Sequence, residues 1–193
     1  MPTREVGRRR VAELLAAAEA VIHERGFEAA TMSEIAERAG SNIGSLYRFF
    51  PNKDSVAEAL LHHYSEVLDV AYAAIHAQAS QATPTELADV LIDLLVTLRP
   101  QTQSLAALLD SRKDRTEIRD RFLKQVSTGI KAALTACAPG LNRKLAEDVA
   151  VVVFNNMKTL VAMTTEGSRA SVGARQQLRL MNRLYLAAAL GQR

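Results

Sequence analysis

Ser41, Asn42, Gly44, Ser45, Tyr47 and Arg48 fall on one outward face if the chain from Ser41 to Phe50 is helical. All are small, polar or cationic. Short stems carrying hydroxyl, amide and guanidinium groups can meet phosphates and base edges when a helix enters the major groove of DNA. No acidic residue occurs from Arg38 to Lys53, so no carboxylate on this stretch neutralises the face. Two of these residues also have plainer readings. Tyr47 could be a core aromatic with its hydroxyl at the edge, and Arg48 an ordinary solvated arginine.

Such a face needs elements to hold it. Thr31-Met32-Ser33-Glu34 reads as a capping box, in which the threonine hydroxyl serves the third helical residue and the glutamate reaches back. It predicts a short helix ending at Gly40, a residue free to take the positive φ of a sharp turn. A second short helix follows over 43–49 and is closed by Pro51. Ile35, Ala36 and Ala39 on the first and Leu46 and Phe50 on the second are the inward positions, and the alanines allow close approach. Two short helices joined by a glycine turn form a helix-turn-helix pattern. An earlier amphipathic helix carries Val11, Leu14, Leu15, Ala18, Val21 and Ile22 and stops at Gly26. Ahead of it, the run Arg8, Arg9, Arg10 could be either a disordered basic tail or an arm onto the minor groove or backbone.

Helical periodicity continues to the end. Asn52 caps a long helix whose stripe is Val56, Leu60, Leu61, Tyr64, Leu68 and Ile75. Thr83-Pro84-Thr85-Glu86 opens another helix with a cap, a first-turn proline and a box glutamate. A short helix follows over 104–110, and Asp114 to Glu117 reads as a further capping box for a helix to about Ala136. Asn142 caps a helix ending near Gly167, and a last helix spans about Val172 to Leu190. The expectation is an all-α chain of about nine helices, with an N-terminal three-helix domain over 1–52 and a helical regulatory and dimerisation domain over 53–193.

The strings Thr31–Gly40 and Ile43–Lys53, above all Ile35-Ala36…Ala39-Gly40 and Leu46-Tyr47…Phe50…Lys53, resemble the N-terminal domain of the tetracycline-repressor (TetR) family. The resemblance covers about residues 8–60. It implies a DNA-binding transcriptional regulator with roles for ten residues. Thr31 and Ser33 would start their helix near a phosphate. Ser41 and Asn42 would stand at the start of the recognition helix, and Gly44 would allow close approach. Ser45 and Arg48 would reach phosphate or base edges, and Tyr47 and Lys53 would each bind a phosphate. Ile43 departs from the lysine or polar residue of many relatives, and could touch a thymine methyl or simply pack.

The helix after Asn142 is apolar nearly all round, so more than one face must be buried. The last helix shares the trait. Both are expected to pair with their symmetry mates in a four-helix dimer interface, which the resemblance also implies, with Val149, Val153, Asn156, Leu160, Met181, Leu184 and Tyr185 at the seam. Such a dimer would bind a palindromic double-stranded operator. Tyr64, Phe122, Phe154, Asn155 and Met157 are candidates for a ligand pocket between helices, where an effector would act. Asn155 and Asn156 could instead satisfy nearby backbone.

Composition narrows the rest. The 193 residues are 48% hydrophobic and 23% charged, with a formal net charge of +3. No apolar run reaches membrane-spanning length, and a cytoplasmic location is the expectation. Cys137 is the one cysteine, which excludes an internal disulfide. His62 and His63 are adjacent and would point apart on a helix, so no metal is expected. Neither a cofactor nor catalysis is expected, because no nucleophile or carboxylate pair sits at a working spacing. The alternatives are a helical ligand- or partner-binding protein without DNA, and an activator of the same fold.

Overall fold

The computed structural model describes residues 2–110, 116–165 and 167–191. Among these there are nine α helices and no strand: α1 (Pro2–Arg25), α2 (Met32–Arg38), α3 (Ile43–Phe49), α4 (Lys53–Ala79), α5 (Pro84–Leu98), α6 (Leu105–Asp110), α7 (Thr116–Cys137), α8 (Arg143–Thr164) and α9 (Val172–Gly191). Of the expected Asp114–Glu117 box, the capping residue Asp114 lies outside the described residues. None of the described helices is long and apolar enough to cross a membrane.

The chain forms two compact units, Met1–Glu66 with Gln101–Arg119, and Val67–Pro100 with Asp120–Arg193. The break expected at Asn52 is a turn inside the first unit. The reason is α4, whose leading stripe of Val56, Leu60 and Tyr64 is fully buried with the N-terminal helices rather than starting a new core.

In the first unit, α1 packs on α2 and α2 on α3. Leu14, Ala18, Ile22, Ile35, Ala36 and Leu46 are buried at the centre. Helix α1 begins at Pro2, so Arg8, Arg9 and Arg10 are helical, neither tail nor arm. Proline is tolerated in a first turn, where its missing N–H costs nothing. Glu13 holds Arg10 at 2.9 Å and Arg9 at 3.7 Å. The fully buried Tyr64 donates its hydroxyl to Glu19 Oε1 at 2.8 Å and lies 2.7 Å from the buried Ser104 Oγ. Burial raises its pKa.

In the second unit, α5 packs against both α8 and α9. Its start is as the sequence predicts, with Thr83 and Glu86 in a reciprocal capping box and Pro84 in the first turn. Ile92, Leu160 and Leu178 form a cluster with Val96 and Met163 around it. A polar seam crosses this apolar packing. Asn182, fully buried, donates to Ala88 O at 3.0 Å and accepts from Asn156 Nδ2 at 3.2 Å. Beside it Arg179 grips Asp93 with two nitrogens, at 2.6–3.1 Å, and Arg183 pairs with Asp89. Replacing Asn182 with alanine strands the Asn156 amide and opens a gap. We expect Asn182→Ala to lower stability by about 1–3 kcal/mol, read as a lower urea midpoint at unchanged slope.

Candidate nucleic-acid interface

Helix α2 is anchored at both ends. Thr31 is its N-cap: its hydroxyl accepts from Glu34 N at 3.2 Å and donates to Glu34 Oε2 at 2.8 Å, and its own N–H also donates to that oxygen. These bonds hold the Glu34 carboxyl below its usual range, the Thr31 hydroxyl contributing most. Arg38 forms a two-point pair with Glu24 of α1 at 2.7 and 2.8 Å, which lowers the Glu24 pKa and raises that of Arg38. Gly40 then turns the chain at φ 56°.

Asn42 caps α3, its Oδ1 accepting from Ser45 N at 2.7 Å. Leu46 seats the helix, fully buried, and Phe50 closes it. The opposite face is open. Asn42, Ile43, Gly44, Tyr47 and Arg48 are exposed and Ser45 is half-buried. Ile43 and Tyr47 retain 44% and 47% of their surface, so neither is a core residue. The Arg48 guanidinium lies 5.1 Å over the Phe49 ring. A Cβ added at Gly44 would meet nothing closer than Asn42 Oδ1 at 3.6 Å, an ordinary contact. The fold itself therefore places no demand for glycine there. Ser33 is exposed at the start of α2.

Lys53 differs from its expected role as a phosphate ligand. Its Nζ donates to the carbonyls of Phe27, Glu28 and Ala30 at 2.8, 2.9 and 2.9 Å and sits 4.6 Å from the Phe27 ring centroid. An ammonium has three donors, and all three are used inside the chain.

The five residues expected to line a ligand pocket each have partners or burial of their own. Tyr64 belongs to the first unit and spends its hydroxyl on Glu19 and Ser104. Phe122 and Met157 are buried core. Phe154 is half-buried under Lys158, 4.8 Å away, and exposed Asn155 donates back to Val151 O. None of the five lines the cavity of about 340 Å³ between α4 and α7, that of about 510 Å³ at the α4–α5 corner or that of about 240 Å³ between α1 and α4. The first of these involves Tyr72 and Gly129, which the sequence reading passed over; a glycine inside an amphipathic helix is the sign that could have marked it.

The expected dimer seam splits in two. Val149, Val153 and Leu160 are fully buried within the unit and Asn156 turns to Asn182, because this is the side of α8 that packs on α5 and α9. Met181 and Leu184 are exposed at 51% and 63%, and Tyr185 is half-buried. The uncovered apolar residues of α8 are Leu145, Val151 and Val152; Leu180 joins Met181 and Leu184 on α9.

Residues 14–60 match the family described as bacterial regulatory proteins, tetR family. The N-terminal domain thus carries the match to that family. A 67-residue stretch is 36% identical to the HTH-type transcriptional regulator TtgR of Pseudomonas putida, covering 35% of this chain and 32% of that one. The matched stretch is thus about a third of that relative's length. Over the whole chain the TetR fold recurs in a putative TetR-family regulator of Mesorhizobium loti (TM-score 0.69, 21% identity, 95% of this chain and 96% of that one). It recurs also in FadR of Bacillus subtilis, solved with stearoyl-CoA (TM-score 0.64, 20% identity, 93% and 97%).

For Lys53, substitution by methionine keeps the stem and removes the three hydrogen bonds of its ammonium. Lys53→Met is expected to cost about 2–3 kcal/mol, seen in thermal or urea unfolding of the N-terminal domain, whereas Arg48→Gln stays within about 0.5 kcal/mol of the parent.

Proposed function

We propose that this chain is a transcriptional repressor that binds a palindromic operator as a homodimer and leaves it when a small-molecule effector binds. The observation that carries the reading is the outer face of α3. It combines an exposed tyrosine and arginine, a capping asparagine and an exposed isoleucine around a glycine that the fold does not need. A helix with that face can lay its backbone against DNA at Gly44 while Tyr47 and Arg48 reach phosphates or base edges. Ile43 is placed to meet a thymine methyl. Ser33, Ser41 and Ser45 add hydroxyls at the rim. Thr31 and Lys53 act behind the face, holding α2 and the turn before it.

The exposed apolar stripes of α8 and α9 supply the second half of the reading. Leu145, Val152, Met181 and Leu184 project from the two helices that TetR-type chains use for pairing. A two-fold dimer presents two recognition helices to half-sites one turn of DNA apart, ~34–36 Å, or a multiple of it. An effector acts by preferring a conformation in which that spacing is wrong, and it lowers operator affinity by its differential affinity for the two states. A cytoplasmic location goes with this role.

Gly44→Ala separates fold from function. It is expected to leave stability unchanged or raise it by up to about 1 kcal/mol, since glycine is a poor helix former, yet to weaken binding in a gel shift with genomic fragments. Arg48→Ala should also weaken binding and flatten its salt dependence. Equal affinity for parent and both variants would overturn the reading. For the dimer, Leu184→Glu is expected to yield monomers in sedimentation at micromolar concentration, with the helical spectrum retained.

A further inference from the structure

The cleft between α4 and α7 combines a buried, unpaired hydroxyl with a cationic rim. Tyr72 of α4 forms part of its wall and is 7% exposed. Its hydroxyl is buried and has no hydrogen-bond partner, alone among the buried side-chain polar atoms of the described residues. Leaving such a group unpaired is costly, and a buried hydroxyl without a protein partner calls for an explanation. The Tyr72 ring rests directly on Gly129 of α7: a Cβ there would lie 2.5 Å from ring carbons. Glycine in mid-helix weakens the helix, so its use here keeps the ring seated without a side chain to lock it.

One end of the cleft is charged. Arg121 and Lys124 line it from successive turns of α7, and both are exposed. Asp69 is the one carboxylate in the lining, and its Oδ1 accepts from Gln125 Nε2 at 2.7 Å. Two cations against one occupied carboxylate leave the rim positive. Lys124 and Arg121 precede Gly129 by five and eight residues, ~7.5 and ~12 Å along the helix.

We propose that the α4/α7 cleft binds a small organic monocarboxylate with a flat apolar body and a second oxygen at its far end. The carboxylate lies between Arg121 and Lys124. The body lies along α7 towards Gly129, and the far oxygen accepts from the Tyr72 hydroxyl as the ring tilts off the glycine. This rests on reading the second unit as the effector-sensing half of the repressor.

Three probes separate the parts: 4-hydroxycinnamate, cinnamate without the far oxygen, and 4-hydroxycinnamamide without the charge. With the full chain in calorimetry, 4-hydroxycinnamate is expected to bind, cinnamate at least three-fold and the amide at least ten-fold more weakly. Arg121→Gln with Lys124→Gln should cost the acid ten-fold or more. Tyr72→Phe should erase the difference between 4-hydroxycinnamate and cinnamate and raise the melting temperature of the unliganded protein, a pairing that a purely structural tyrosine does not produce. If the amide binds as well as the acid, if Tyr72→Phe leaves the difference intact, or if no acid binds at millimolar concentration, the proposal is wrong. A gel shift tests the repressor reading separately. Acid that binds the cleft without releasing DNA upholds the site and refutes its role as effector. Release that survives the Arg121/Lys124 double substitution overturns the site.

Discussion

The turn after α1 carries backbone carbonyl groups that lie outside any helix, and such groups need partners. Lys53 answers three of them with one ammonium. The residue stands at the head of α4, three positions after the buried Phe50 that closes α3. Fixing Lys53 to Phe27, Glu28 and Ala30 therefore fixes the exit of α3 against the end of α1. The pairs Arg38–Glu24 and Arg25–Glu34 brace the same corner from its solvent side, where screening makes them weaker. Everything that α3 presents outward inherits its direction from this corner. A charge that could have gone to DNA is spent on aiming the charges and hydroxyls that do face out.

How far the sequence could be read depended on the range of each interaction. The capping boxes at Thr31 and Thr83 close within three residues, so the letters alone locate them. Gly40 was equally legible, because its turn needs only itself. Leu46 and Ile35 follow from helical periodicity. Lys53 was not legible: its acceptors are main-chain atoms more than twenty residues earlier, and a backbone carbonyl leaves no trace in residue type. The basic run at Arg8–Arg10 was misread for a related reason. Its helix starts well before the first apolar stripe, and Glu13 gives two of the arginines a local partner.

The C-terminal helices show a different limit. That α8 is apolar on several sides could be read directly, and so could the need for two burials. Which side met α5 could not. Val149 and Val153 are chemically the same as Val151 and Val152, yet the first two are fully buried and the latter exposed. Likewise an aromatic residue announces burial without saying whether it closes a core or opens onto a cavity. Tyr64 and Tyr72 sit eight residues apart on one helix and are both buried. The first has two hydroxyl partners and the second none.

The polar seam on α5 and α9 has one more implication. Asp89 and Asp93 are one turn apart, and so are Arg179 and Arg183. Sliding α9 by a single turn would bring Arg175 to Asp93 and Arg179 to Asp89, two ion pairs again. The charge ladder alone is thus a ruler with repeated marks. Asn182 removes the ambiguity, because it must meet Ala88 on one neighbour and Asn156 on the other at once. Three helices come into phase only at that setting. The buried amide works as an index pin, in the way that single buried polar residues fix the register of helical assemblies.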